Sequence, residues 1–486
     1  MDALDLVPPP SLFIGGEWVS PGSDRLRTHT DPSTGQSTRS FAEADGKDVD
    51  DAVASARAAL AGWTALAPVR RQALLVAVAD LIEAEAPNLG ALAALEMGQP
   101  VRSATAAAVH AASWFRYFAG WADKLEGATV PVAPGEVLDY VLPEPFGVVA
   151  AIIPWNGPVM SLAVKLAPAL TAGNTVVAKP PLEAPFSSLY LAGLFVRAGF
   201  PPGVVNVVVG GAVAGEALCG HPGVDKISFT GGEVAARAVA RAAAQYHTPV
   251  VMELGGKSAS LIFEDADPVL VGTLAARFGL QQNSGQGCFL PTRVFVHHSL
   301  YEEVVDQVVA SVRDLTVGDP FEPATRMGPV AGAVTRDRIL NVIDAARLRG
   351  DGELLVGGGV VEGLNEAGSF VAPTVFGAVD PASPLAQEEI FGPVLAMSSF
   401  ETEQEAVALA NGTRYGLAGY VWTNHLGRAH RLASALRAGS VSINSMATLP
   451  PGAPFGGVGA SGHGLEGGRW GLSEFLRPKN VHVSLR

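Results

Sequence analysis

Short, wholly apolar runs separated by helical stretches constrain this chain more than any other feature. The runs are "GVVAAII" (147–153), "TVVAK" (175–179), "VVNVVV" (204–209), "KISF" (226–229) and "VVMEL" (250–254). Between them lie "SLAVKLAPALTAG" (161–173) and "SSLYLAGLFVRAG" (187–199), each closing on a glycine suited to a helix C-terminus. Strands that are apolar on both faces belong to a parallel sheet with helices above and below. The alternation restarts after residue 258. "SASLIF" (258–263), "VFVH" (294–297), "ELLVGG" (353–358), "PTVFGAV" (373–379), "VLAMSSF" (394–400), "GYVWT" (419–423) and "GSVSIN" (439–444) read as strands. Helices are expected near 402–411 and 427–437, and after 297, where Val305, Val308, Val309 and Val312 share a face. The chain therefore reads as two α/β domains without a repeat of fixed period.

The N-terminal part is helical by the same criterion. Asp45 is a candidate N-cap, followed at helical spacing by Val49, Val53, Ala56, Leu60 and Trp63. An Ala- and Leu-rich helical region covers about 68–96, and another precedes "FRYFAGWADK" (115–124). The segment "ATVPVAPGEVLDYVLPEPF" (128–146) breaks the pattern. Its prolines and mixed polarity predict an extended ribbon that forms an edge hairpin or pairs with another subunit.

Composition removes several functional classes. A net charge of −14 argues against a nucleic-acid groove and against attraction to an anionic membrane. No uncharged apolar run is long enough for a membrane-spanning helix, and no signal peptide is expected, since acids and prolines stand where one needs a basic start and an apolar run. The two cysteines, Cys219 and Cys288, cannot build a disulfide framework. A reducing compartment, the cytoplasm, is the expected location. No HExxH or CxxC spacing occurs, so no metal site is expected.

Two nucleotide-binding motifs fail on inspection. "GVGASG" (457–462) has the glycine spacing of a dinucleotide fingerprint, but only 24 residues follow it, too few for the required strand–helix–strand unit. "GGKS" (255–258) ends like a P-loop, yet the position that needs its first glycine is Val251.

Cys288 lies in "NSGQGCFLPTR" (283–293), a glycine-rich stretch with little packing for a cysteine to do. A reactive thiol needs such access and such polar neighbours. Five blocks in order then resemble the aldehyde dehydrogenase superfamily. They are "PWNGP" (154–158), "FTGG" (229–232) with "MELGGKS" (252–258), "NSGQGC" (283–288), "EEIFGPV" (388–394), and "PFGG" (454–457) with "SGHG" (461–464). The resemblance runs from about residue 12 to the end. It implies an aldehyde-dehydrogenase-like α/β fold with an atypical Rossmann cofactor domain (1–127 and 147–254). An α/β catalytic domain (255–472) and a small β oligomerisation flap (128–146 and 473–486) complete it. It also implies a homodimer or homotetramer.

By the same resemblance, Cys288 is the nucleophile, Asn156 the side-chain oxyanion donor and Glu253 the base that activates water. A thiolate suits addition to an aldehyde and departure from a thioester, and the oxyanion needs donors already in place. Glu253 sits in an apolar strand, where burial raises a carboxyl pKa toward a working range. Cofactor contacts fall on Trp155, Lys179, Gly231, Gly232, Glu389 and Phe391. The implied reaction is NAD(P)-dependent oxidation of a small-molecule aldehyde to the acid through a thiohemiacetal and thioester. A cofactor-independent thiol esterase and a non-catalytic member of the fold are the alternatives.

The chain departs from the family pattern in places. After Lys179 the text is "KPPL", so Leu182 stands where the family usually has a ribose-binding glutamate, with Glu183 one residue late. NAD is favoured, but NADP stays open. Gly232, Glu233 and Ala236 occupy places where the phosphate turn commonly has Ser, Thr and Gly. Pocket positions that are often bulky are Gly157, Ser161, Val164 and Gly287, and "SMATLPPGA" (445–453) has no aromatic. A roomy pocket for a bulky or aromatic aldehyde is expected, with Phe289 as a wall. No Arg or Lys points plainly to a carboxylate-bearing substrate; Arg116 and Arg293 stay open for that role.

Overall fold

The five apolar runs of 147–254 form the parallel heart of an eight-stranded sheet in this computed structural model. The structure describes residues 3–22, 25–132, 135–446 and 448–485. Residues 133–134 of the extended ribbon, Ala447 of the 445–453 segment, and residues 1–2, 23–24 and 486 of the domain ranges lie outside the described residues. The parallel strands are Val148–Ile152, Thr175–Lys179, Val205–Val207, Lys226–Thr230 and Val250–Glu253. The first lies at the centre. The next two build outward on one side and the last two on the other. Antiparallel strands close both edges: Leu12–Ile14 and Glu17–Val19 on one side, Gly462–His463 on the other. Val148–Ile152 is buried at every position, as a strand covered on both faces must be. Each such valine or isoleucine contributes about 1.5–3 kcal/mol by leaving water.

The second set of runs forms a seven-stranded sheet. Its order is Glu353–Val356, Thr374–Gly377, Val394–Phe400, Arg293–His297, Ala259–Ile262, Ala418–Trp422 and Ser440–Ile443. Only the first strand is antiparallel to its neighbour. The ribbon forms a hairpin in a small separate sheet: Val137–Pro145 is the central strand, antiparallel to Ala128–Thr129 on one side and Leu476–Ser484 on the other.

The helices follow the sequence with two revisions. Gly46–Thr64 starts at Asp45, whose carboxylate accepts from the Lys47 and Asp48 amides while Asp48 returns a bond to the Asp45 amide. The region 68–96 is two helices, Pro68–Ala84 and Ala86–Met97. Pro87 has no N–H and would clash with the carbonyl four residues back, so a continuous helix breaks there. The helix Val101–Ala119 runs through "FRYFA" rather than ending before it. Phe115 and Phe118 are fully buried on that helix, which explains the extension.

Candidate active site

The parallel strands of the first sheet end in register, and the chemistry-bearing residues follow their carboxyl ends. Ile152 pairs with Lys179 and Phe229, and Thr230 pairs with Glu253. After residue 207 the chain crosses from one side of Val148–Ile152 to the other, so the strand order reverses beside that strand. Ligands of open α/β sheets bind at such a switch point, outside the carboxyl ends. Trp155, Asn156, Gly231 and Gly232 all lie there.

Cys288 arrives from the second half of the chain on a loop with an unusual backbone. Asn283, Ser284 and Gly285 have φ of 50°, 53° and 71°, three left-handed residues in succession. For Asn and Ser this costs free energy, and surrounding bonds must hold it. Asn283 Nδ2 donates to the carbonyls of Asn156 (2.8 Å) and Gln286 (2.9 Å). Ser284 Oγ donates to Gly328 O at 2.9 Å, and the buried Gln286 side chain accepts from the Ala331 amide at 2.9 Å. Two contacts admit only glycine. A methyl on Gly285 would stand 2.2 Å from Gly392 O, and one on Gly256 would stand 2.4 Å from Cys288 O. Thus "MELGGKS", "NSGQGC" and "EEIFGPV" meet as backbone against backbone.

Asn156, Glu253 and Cys288 line one cavity of about 280 Å³. Asn156 Nδ2 donates to Gln286 O at 2.9 Å, which fixes the amide and leaves its second hydrogen free. Both carboxylate oxygens of Glu253 are buried without a hydrogen-bond partner among the described residues. Burial pushes this carboxyl well above the usual range; nearby Glu466 adds to the shift and Lys165 opposes it. Burial also pushes the Cys288 thiol up, reinforced by the charges of Glu253 and Glu389. Cys219 is buried on the helix Ala212–Cys219, and burial pushes its thiol to about 12. It is core.

The residues expected to contact a dinucleotide share the same edge. Trp155 and Phe391 meet edge to face at 5.2 Å. Glu389 accepts from the Gly256 amide at 3.0 Å, and burial raises its carboxyl. Lys179 is buried and donates to Gly210 O at 2.5 Å; burial lowers its ammonium to about 8. Gly232 caps the helix Glu233–Ala244 without a side-chain hydrogen bond, and a methyl on it would meet nothing within 4 Å. Open space at an uncapped helix N-terminus fits a phosphate. The arrangement therefore fits the implied NAD(P).

Sequence reasoning missed several residues of the site. Lys165 is buried, 2.6 Å from Glu466 and 3.0 Å from Ser228 Oγ, and both Lys165 and Glu466 line the cavity. Charged residues inside "SLAVKLAP" and "GHGLEGG" were the available signal. Gly157, Ser161, Val164, Gly287 and Phe289 line the cavity as expected, joined by Trp114 and Phe455. These two aromatics come from distant segments and could not be placed by local pattern. Arg414 pairs with Glu233 and, at 2.8 Å, with Glu388, which ties the helix after the glycine turn to the Glu389 segment. Arg116 and Arg293 do not face the cavity. Arg116 pairs with Asp80 and Glu83, and Arg293 donates to the carbonyls of Lys257, Leu409 and Ala410. The "GVGASG" stretch serves Glu253 instead of a phosphate. Gly462 (φ 109°) pairs with Glu253, where a methyl would stand 2.0 Å from Met252 O.

Among the described residues no cluster of His, Cys, Asp and Glu could hold a metal ion, and no helix is long and apolar enough to cross a membrane. Residues 18–481 match the family described as the aldehyde dehydrogenase family. Retinal dehydrogenase 2 of Homo sapiens is 39% identical over 500 residues, covering 100% of this chain and 95% of that protein. Mitochondrial aldehyde dehydrogenase of Homo sapiens is 41% identical over 480 residues, covering 98% of this chain and 92% of that protein. Among solved structures, betaine aldehyde dehydrogenase of Staphylococcus aureus in complex with NAD+ matches with a TM-score of 0.97 at 33% identity, covering 100% of this chain and 96% of that one. The NAD+ complex of aldehyde dehydrogenase from Bacillus cereus matches with a TM-score of 0.95 at 38% identity, covering 99% and 97%.

Proposed function

The chain belongs to the aldehyde dehydrogenase family and is an NAD(P)-dependent aldehyde dehydrogenase; from that premise we propose that it oxidises a bulky or aromatic aldehyde to the acid through a Cys288 thioester. The observation that carries this reading is the single cavity holding Cys288, Glu253 and Asn156 between Trp114, Phe289 and Phe455. Phe289 and Phe455 stand edge to face at 6.0 Å, a wall suited to a flat or branched apolar substrate.

Cys288 adds to the carbonyl carbon and gives up its thiol proton, which Glu253 accepts. The free amide hydrogen of Asn156 and the Cys288 N–H hold the oxyanion. Lys179, Gly231, Gly232, Trp155, Glu389 and Phe391 hold the dinucleotide, which supplies the hydride acceptor when bound. Glu253 passes the thiol proton on to solvent and then takes a proton from water; the hydroxide attacks the thioester, the Cys288 thiolate leaves, and Glu253 returns the proton to it as the acid departs. We assign 1–127 and 147–254 to cofactor binding, 255–472 to catalysis, and 128–146 with 473–486 to oligomerisation. Exposed Leu138, Leu142 and Val483 on the three-stranded sheet, with Leu485 just past its last strand, support pairing with another subunit. Two free cysteines support a reducing location such as the cytoplasm.

An aldehyde panel with NAD+ or NADP+, read by absorbance of the reduced cofactor, tests the proposal. Benzaldehyde should exceed acetaldehyde in kcat/KM; the reverse order removes the bulky-substrate reading. Cys288→Ala should retain less than about a thousandth of the activity. Turnover of an ester without cofactor, and none of aldehydes with it, would favour the thiol esterase.

A further inference from the structure

The glutamate absent at position 182 has a spatial counterpart from another part of the chain. The end of the strand Ser37–Ala42 leads along the turn that follows Val205–Val207: the Ala44 amide donates to Val209 O at 2.8 Å. This brings the Glu43 carboxylate to Gly211. A methyl on Gly211 would stand 3.2 Å from Glu43 Oε1 and 3.2 Å from Leu182 Cδ1. Lys179 reaches the same turn, donating to Gly210 O at 2.5 Å. A methyl on Gly215 would stand 3.7 Å from the Lys179 stem. Leu182, Lys179 and Glu43 therefore border one glycine-floored turn.

Glu43 is held for this position. Its Oε2 accepts from Arg27 Nε at 2.7 Å, and the Glu43 side chain is only 12% exposed while Arg27 is 56% exposed. Oε1 has no hydrogen-bond partner among the described residues. Glu183, the neighbour of Leu182, is exposed; its charge favours the Lys179 ammonium, but it makes no hydrogen bond among the described residues.

We propose that Glu43 accepts the adenosine-ribose hydroxyl hydrogens in place of a glutamate at 182, and so selects NAD over NADP. This rests on the reading of the chain as a dinucleotide enzyme with Lys179 at that ribose. A carboxylate oxygen accepts from a hydroxyl but cannot bond a 2′-phosphate, and the two anions repel. Arg27 neutralises part of the Glu43 charge, so the discrimination is graded rather than absolute. The arrangement also explains Gly211, since any side chain there would fill the space facing Glu43.

Binding of NAD+ and NADP+ to the full-length protein, followed by quenching of tryptophan fluorescence, tests this without turnover. The wild type should bind NAD+ more tightly. Glu43→Gln should narrow the ratio of the two Kd values about tenfold, the size of one charge-assisted hydrogen bond. Leu182→Glu in that background should restore it, and Glu183→Gln should leave it unchanged. Arg27→Ala should widen the ratio by unmasking the carboxylate, and it decides the matter should Glu43→Gln fail to fold. An unchanged ratio in Glu43→Gln or in Arg27→Ala, a wild-type preference for NADP+, or an effect carried by Glu183 overturns the proposal. Failure of the wild type to bind either dinucleotide overturns the underlying function instead, and this proposal with it.

Discussion

The side-chain amide of Asn156 donates to the backbone carbonyl of Gln286 across 2.9 Å, so the proposed oxyanion donor is fixed by the loop that carries the nucleophile. That loop bonds back, because Asn283 Nδ2 donates to Asn156 O at 2.8 Å. Asn156 and the nucleophile loop lock each other through Gln286 and Asn283, and the second amide hydrogen of Asn156 is positioned before any substrate enters. Asn156→Ala should lower kcat by about 10²–10³, the usual consequence of losing one such donor, with little change in KM. Steady-state kinetics check it; a loss confined to KM would show that Asn156 only shapes the pocket.

Glu253 carries the pH dependence. Its folded-state pKa is raised, by burial first and by Glu466 second. The base form therefore appears only as pH climbs above the usual carboxylate range, and thioester hydrolysis should speed up along that limb. Glu253→Gln should flatten the limb and leave a single-turnover burst of reduced cofactor ahead of slow steady turnover. The sign for stability is opposite. A carboxyl raised on folding binds more protons in the folded state, so its contribution is present at low pH and is lost as pH rises toward its folded pKa. Glu253→Gln should therefore melt higher than wild type at alkaline pH, with the difference shrinking toward acid.

The glycine geometry of the nucleophile loop predicts a cost that local sequence understates. Gly285 combines φ 71° with a carbonyl 2.2 Å from where its methyl would lie. Gly285→Ala must shift the Phe391–Pro393 segment or the loop itself. A loss of about 2 kcal/mol or more in stability is expected. Activity should fall further than stability explains, since Cys288 is three residues away. Thermal melts alongside kcat at a temperature where the variant is folded separate the two effects.

The residues legible in the sequence were those with a short-range signature. Val148–Ile152 is apolar at every position because both faces are covered, and that pattern needs no knowledge of the fold. Asn156, Glu253 and Cys288 stood in recognisable blocks, and the cavity contains all three. What stayed hidden was set by distant contact. Gly462–His463 becomes a strand only because Glu253 and Met252 offer it an edge. Leu26–Thr30 is nearly all exposed, so it carries no apolar period to read. Trp114 and Phe455 are ordinary helix and loop aromatics until the chain brings them to one wall. Lys165 is one charge in an otherwise apolar helix, and its 1% exposure is set by packing that no local pattern reveals.

That lysine gives the most discriminating electrostatic test. Lys165 Nζ lies 2.6 Å from Glu466 Oε1, and the two side chains are 1% and 10% exposed. Removing one partner of a buried ion pair strands the other, at about 3–5 kcal/mol. Lys165→Met should therefore destabilise strongly, and Lys165→Met with Glu466→Gln should recover part of the loss. The same variants act on Glu253 with opposite signs, because Lys165 lowers its pKa and Glu466 raises it. Lys165→Met should move the rising limb of thioester hydrolysis to higher pH, whereas Glu466→Gln alone should move it to lower pH. A general loosening of the cavity would lower rates at every pH in both variants and shift neither limb. Opposite displacements, measured as single-turnover hydrolysis rates across pH, would show that this ion pair sets the protonation of Glu253 through its charge rather than through packing.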